Sequence, residues 1–151
     1  MGELKLEKLS IAYDGQEVVR DFDLAVADGE MVSLLGPSGA GKTTILKAIA
    51  GLLRPRRGDI CLDGVSVLNL PPEKRDAVMV FQKPLLFPFM DVAQNVDFGL
   101  RMKGHLTLRE RQGRIAEILA LTELEGMSGR KVHELSGGQQ QRVSLARALV
   151  L

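Results

Sequence analysis

The chain is poor in several residue types at once, with one cysteine, one tyrosine, two histidines and no tryptophan in 151 residues. A lone thiol, Cys61, cannot build an internal disulfide framework, so a reducing compartment such as the cytoplasm is expected. Neither charge sign is in excess: 20 Lys+Arg stand against 19 Asp+Glu, for a net +1. No field therefore draws the chain to a polyanion, and no nucleic-acid partner is expected. No apolar run approaches the roughly eighteen residues of a membrane-spanning helix. Nor does Met1-Gly2-Glu3-Leu4-Lys5 resemble the basic segment and apolar run of a signal peptide, so any membrane contact is expected to be peripheral. Neither His105 nor His133 has a second ligand at metal-like spacing. Internal repeats, low-complexity tracts and long linkers are missing too. What remains, 45% hydrophobic and 26% charged residues, is ordinary globular usage with enough length for a core.

Apolar residues alternate with Lys5, Glu7 and Lys8 from Leu4 to Ile11, and a similar mixture runs from Val18 to Val26. With Asp14-Gly15 between them, the two segments predict an antiparallel pair. Met31-Val32-Ser33-Leu34-Leu35 and Ala77-Val78-Met79-Val80-Phe81 are short apolar runs of the kind that strands buried on both faces show. Asp59 to Leu62 reads as a further strand after the basic turn Arg54 to Arg57, with Asp63-Gly64 as the next turn. Helices are predicted at Thr43 to Leu52, Val92 to Met102, Thr107 to Leu121 and Gln139 to Leu149, with Asp91, Thr107 and Ser136 as N-caps.

Two constellations carry chemistry. Gly36-Pro37-Ser38-Gly39-Ala40-Gly41-Lys42-Thr43 fits the pattern of glycine, four residues, then Gly-Lys-Ser/Thr, between an apolar strand and a helix. Chance matches in a chain this size occur on the order of one in a hundred. Glycines let backbone amides converge on an anion, and the helix N-terminus adds positive potential. Lys42 can reach terminal phosphates, and Thr43 offers a hydroxyl to magnesium. The second constellation is Leu135-Ser136-Gly137-Gly138-Gln139-Gln140-Gln141-Arg142, again opening a helix, where Ser136 and two glycine amides make another anion site.

Together these motifs resemble the nucleotide-binding subunit of ATP-binding cassette (ABC) transporters, and the second matches that family's signature. The resemblance implies an α/β fold, a P-loop NTPase core with N-terminal antiparallel strands and a helical subdomain, incomplete at its C-terminus. It divides the chain into residues 1–82 with the phosphate loop, a helical subdomain at 83–140 ending in the signature, and the signature helix at 141–151. Mg-ATP would be contacted by Tyr13, as the ring against adenine, and by Gly36, Pro37, Ser38, Gly39, Ala40, Gly41, Lys42, Thr43 and Thr44. Leu135, Ser136, Gly137, Gly138 and Gln139 would close on ATP held by a second copy. Lys42, Gln82 and Ser136 are the catalytic candidates, and Thr43 and Gln82 the magnesium contacts.

The same resemblance gives Leu85-Leu86-Phe87-Pro88-Phe89-Met90 a partner. This loop, rich in apolar residues, leads in the family to the surface that docks on a transmembrane permease subunit at the inner face of the membrane. Leu-Phe-Pro with Asn95-Val96 is most similar to importers of polyamines, sulfate, molybdate, iron or sugars.

The family's pattern continues beyond the signature helix with an apolar strand ending in aspartate, then the glutamate that polarises water, a further strand and a switch histidine. None of these is found in the 151 residues, because the run at Ala77 ends in Phe81-Gln82. The chain is therefore expected to bind ATP without hydrolysing it, and to carry two apolar strand edges that lack neighbours. Two alternatives stand beside import: a non-transport ABC ATPase of the DNA-repair or chromosome type, and a nucleotide-dependent interaction module without turnover. The interval from Gln82 to Ser136 holds no heptad run or cysteine cluster, which the first alternative usually carries.

Overall fold

β1 (Leu4–Tyr13) and β2 (Gln16–Val26) pair antiparallel as the alternation predicts, with Leu4 opposite Val26 and Tyr13 opposite Gln16. The computed structural model describes residues 2–13 and 15–151. The Asp14 half of the expected turn and the Tyr13 side chain lie outside the described residues. β1 also pairs antiparallel with β3 (Arg57–Leu62), and β3 with the short β4 (Val65–Ser66), giving the sheet order β2-β1-β3-β4. Asp63 and Gly64 join β3 to β4 with φ of 50° and 73°, the conformation that two-residue hairpin turns require.

The chain divides into two compact units, Met1–Met79 and Val80–Leu151, each with its own apolar core. In the first, Leu6, Leu9, Ile11, Val19 and Ile60 of the sheet pack with Ile45 and Ala48 of α1 (Lys42–Ile49). In the second, α2 (Val92–Lys103), α3 (Leu108–Leu121) and α4 (Gly137–Leu149) share a core that includes Val92, Val96, Ile115, Ile118, Val143 and Ala146. Each large side chain removed from water there contributes about 1.5–3 kcal/mol against chain entropy.

All three expected N-caps close capping boxes. Asp91 accepts from the Gln94 amide at 2.7 Å while the Gln94 side chain accepts from the Asp91 amide at 3.0 Å, and Thr107 with Glu110 and Ser136 with Gln139 repeat the exchange. Each box satisfies two backbone donors that a helix start leaves open, so the helix begins where the residue pair sits.

The apolar runs at 31–35 and 77–81 correct an expectation: neither is a strand. Met31 and Leu35 are 93% and 92% exposed, and Val78 is exposed as well. An apolar run becomes a strand only when a neighbouring segment supplies a hydrogen-bonded ladder, and among the described residues none does so for either run.

Candidate functional site

Gly36 to Ala40 lie exposed ahead of α1, and Gly41 turns the chain into the helix with a φ of 81°. A β-carbon at Gly41 would stand 2.7 Å from Val19 Cγ2 and 3.2 Å from the Val18 carbonyl oxygen, so β2 presses on the backbone there and no side chain fits. The loop holds its shape through Ala40 N–H donating to Pro37 O at 3.2 Å and Ile45 N–H to Gly41 O at 2.9 Å. No side chain caps α1, so its first-turn amides from Lys42 to Thr44 keep their helix-terminal potential for an outside acceptor. The Lys42 ammonium donates to Gly36 O at 2.7 Å and Pro37 O at 2.6 Å, which bends its stem over the same loop. Thr43 is exposed and Thr44 half-buried.

This cluster fits a polyphosphate: a glycine where a β-carbon would clash, uncapped amides and one ammonium converge on a single turn, with a hydroxyl beside them for a hard cation. Charge-assisted bonds of the kind such a cluster can make contribute about 1.5–3 kcal/mol each.

The second cluster lies in the second unit. Ser136 is the N-cap of α4, accepting from the Gln139 amide at 3.3 Å, and the Gln139 side chain accepts from the Ser136 amide at 2.9 Å. Nothing lies within 4 Å of a β-carbon built at Gly137 or Gly138, and both residues are exposed. Leu135 is buried beneath the turn, and Gln140 Nε2 pins the chain ahead of it by donating to Val132 O at 3.0 Å and Leu135 O at 3.2 Å. The result is a rigid helix start with an exposed serine and two exposed glycines.

Gln82 is exposed in a bend ahead of the apolar loop. That loop is shaped from below by Asn95, whose side chain is 0% exposed. Its Oδ1 accepts from Phe87 N–H at 2.8 Å, and its Nδ2 donates to Asp91 O at 2.9 Å and Phe87 O at 3.2 Å. Phe89 is left 90% exposed and Leu85 half out.

Three polar side chains make contacts to these segments that the sequence did not announce. Gln141 Nε2 donates to Phe81 O at 3.3 Å, and Arg147 Nη1 to Leu85 O at 2.8 Å with its guanidinium 5.4 Å from the Phe87 ring. Arg75 binds the far end of α1. Arg75 lies in a charge run and Gln141 in an amide run that ordinarily read as a solvated face, and Arg147, between Ala146 and Ala148, carries no local signal of its contact. Cys61 on β3 is half-buried, and burial together with nearby Asp59 pushes its thiol up, which makes it a poor nucleophile. No group of His, Cys, Asp or Glu suited to hold a metal occurs among the described residues. Among the described residues, no helix is long and apolar enough to cross a membrane.

Comparison with known proteins agrees with the motifs. The chain is 47% identical over 148 residues to the Fe(3+) ions import ATP-binding protein FbpC 1 of Pectobacterium atrosepticum, covering 98% of this chain and 42% of that protein. It is 51% identical over 138 residues to the spermidine/putrescine import ATP-binding protein PotA of Methylococcus capsulatus, covering 91% and 36%. The chain thus spans about two fifths of the length of the curated relatives it matches. Among solved structures, a dimeric ATP-binding cassette in a post-hydrolysis state bound to ADP and Pi superposes with a TM-score of 0.88 at 34% identity, covering 97% of this chain and 69% of that one. Its core is therefore that of an ABC ATPase cassette. Residues 19–151 match the ABC transporter family directly, and with both motifs in place the chain belongs to that family.

Proposed function

We propose that this chain is the Mg-ATP-binding part of the ATP-binding subunit of an import system, holding nucleotide between two copies. The observation that carries the reading is the uncapped start of α1 with Lys42 folded over Gly36 and Pro37. Bound Mg-ATP supplies a polyphosphate whose charge the metal helps to neutralise. The chain's own residues do the rest: amides of Gly39 to Thr44 and the Lys42 ammonium bind the phosphates, and the Thr43 hydroxyl and Gln82 serve the cation. Tyr13 takes the adenine face, a contact worth roughly 1–3 kcal/mol where a base stacks on a ring. Leu135 seats the signature turn, while Ser136, Gly137, Gly138 and Gln139 present a second set of donors to nucleotide on the other copy.

The exposed Leu85 and Phe89, on a loop fixed by Asn95, suit an apolar partner surface. We assign that surface to a transmembrane permease subunit, which places the protein on the inner face of the cell membrane. The names of the similar FbpC and PotA proteins point to iron or polyamine as cargo classes. No carboxylate follows Glu134 in these 151 residues, so turnover is assigned to the whole protein. By itself this chain is expected to bind without sustained phosphate release, and release dependent on Lys42 would overturn that.

Light scattering in Mg-ATP tests the two-copy arrangement. Lys42→Ala and Ser136→Asp each remove half of a shared site, so neither alone should gain dimer when Mg-ATP is added, while their mixture, which restores one intact site, should. A nucleotide-driven gain of dimer in either variant alone, or none in the wild type, would contradict the reading.

A further inference from the structure

Arg75 is a buried cation, 8% exposed, and its partners are backbone carbonyls rather than carboxylates. Its Nη1 donates to Ala48 O at 2.8 Å and Ile49 O at 3.1 Å, the last two carbonyls of α1. Its Nε donates to Leu70 O at 3.0 Å and its Nη2 to Leu68 O at 3.4 Å, in the segment that follows β4. Burial lowers the basicity of the guanidinium, but an arginine keeps its charge at any pH the protein meets.

The end of α1 is closed by two devices. Leu52 N–H returns to Lys47 O at 2.9 Å and Gly51 N–H to Ala48 O at 3.1 Å, with Gly51 at a φ of 79°. This is the left-handed helix stop that needs glycine. Arg75 lies against that stop, since a β-carbon at Gly51 would come within 2.8 Å of its Nε. Ile49 O, which the backbone stop does not reach, takes its hydrogen bond from Arg75. A positive charge at the C-terminal carbonyls also favours the helix dipole.

α1 has eight residues, so its two ends are two turns apart. Gly41, Lys42 and Thr43 open it and Arg75 closes it. A helix this short has little intrinsic stability and takes its position from what grips its ends. At the start Val19 presses on Gly41, and at the finish Arg75 ties α1 to the chain beyond β4.

We propose that Arg75, seated against Gly51, is a positioning residue for the phosphate loop: by gripping the last carbonyls of α1 it fixes the height and tilt at which the helix presents Lys42 and its first-turn amides. The proposal rests on the nucleotide reading for its consequence in binding. Its structural half stands without that reading.

The test uses Arg75→Met, Arg75→Lys, Gly51→Ala and the double variant Gly51→Ala/Arg75→Met in the purified protein, well below each melting transition. Gly51→Ala displaces the guanidinium and also strains the left-handed stop, so Arg75→Met is the variant that isolates the guanidinium. Without nucleotide, the amides from Ile45 to Leu52 should exchange about tenfold faster in Arg75→Met and in Gly51→Ala, while Leu6 and Ile60 on the sheet keep wild-type rates. With Mg-ATP, the dissociation constant should rise about tenfold in both, and Arg75→Lys, which keeps the charge with fewer donors, should lie between. The double variant should fall short of the sum of the two single effects, because displacing the guanidinium costs nothing once it is gone and only the strain of a left-handed alanine adds.

Uniformly faster exchange across the whole unit would reduce Arg75 to general stability and overturn the proposal. So would unchanged Mg-ATP affinity in variants of a wild type that binds. A wild type that binds no Mg-ATP would defeat the nucleotide reading instead, and the exchange rates would then decide the role of Arg75 alone.

Discussion

Lys42 reaches back across its own loop to Gly36, its ammonium donating to that carbonyl oxygen at 2.7 Å. Two such bonds, the second to Pro37, hold the charge over the amides that open α1, so ammonium and helix terminus face one place. An anion that enters there exchanges neutral carbonyl partners of Lys42 for charged phosphate oxygens, which pairs the ammonium with an opposite charge.

Gly41→Ala tests how tightly β2 sets the loop. Left-handed backbone costs a side-chain-bearing residue about 1–2 kcal/mol, and the new methyl group would also meet Val19 Cγ2 at 2.7 Å. Urea denaturation should show a loss of about 2–3 kcal/mol. A loss below about 0.5 kcal/mol would mean that β2 and the loop are free to separate.

Ser136 has two separable roles. As N-cap, Ser136→Ala should cost about 1 kcal/mol by denaturant midpoint, whereas Ser136→Asp keeps an acceptor for the Gln139 amide and should stay within about 0.5 kcal/mol of wild type. Any loss of nucleotide-driven dimer in Ser136→Asp then reflects its negative charge facing phosphate rather than a frayed helix. Equal destabilisation of the two variants would remove that distinction.

The third helix start carries a pH signature. Hydrogen bonds from the Thr107 hydroxyl and then the Thr107 amide hold the Glu110 carboxyl below the ordinary carboxylate range. Because the folded value is depressed, the cap's contribution is present above the unfolded value of about 4.3 and is lost as pH falls through the folded one. Glu110→Gln should flatten the stability-against-pH curve of the protein in that acid window, and near neutrality, where the carboxylate contributes fully, it should lower stability without changing the slope. An unaltered slope would show that the carboxylate is not held by the cap.

The runs at 31–35 and 77–81 predict sticky behaviour. Met31 and Leu35 are more than nine-tenths exposed and among the described residues no strand pairs with them, so this chain by itself should bind a hydrophobic dye and lose monomer as concentration rises. Met31→Lys with Val78→Lys should raise the soluble fraction. A dye-silent monomer that melts sharply would contradict this.

Local signals were legible in the letters and long-range ones were not. Asp91, Thr107 and Ser136 each cap the helix that their spacing announced, because a capping box needs only four consecutive residues. Gly36 to Thr43 and Leu135 to Gln139 named the family before any coordinates, since each motif is contiguous. By contrast, Met31 to Leu35 has the composition of a buried strand and no partner ladder, and composition cannot report whether a partner is there. Arg75 stayed hidden for a related reason: Lys74-Arg75-Asp76 reads as a solvated charge run, and its four carbonyl partners lie as far as 27 residues away. Asn95 was visible as part of a pattern, but its grip on Phe87 and Asp91 needed the fold.

Calorimetric titration of the purified chain with Mg-ATP, beside Lys42→Ala, tests the central claim most directly. Saturable binding in the micromolar range, weakened about 10- to 100-fold by the substitution, is the predicted result. Equal affinity of the two proteins for Mg-ATP, or no binding by a wild type that is folded, would contradict the account of residues 36–44 as the nucleotide site.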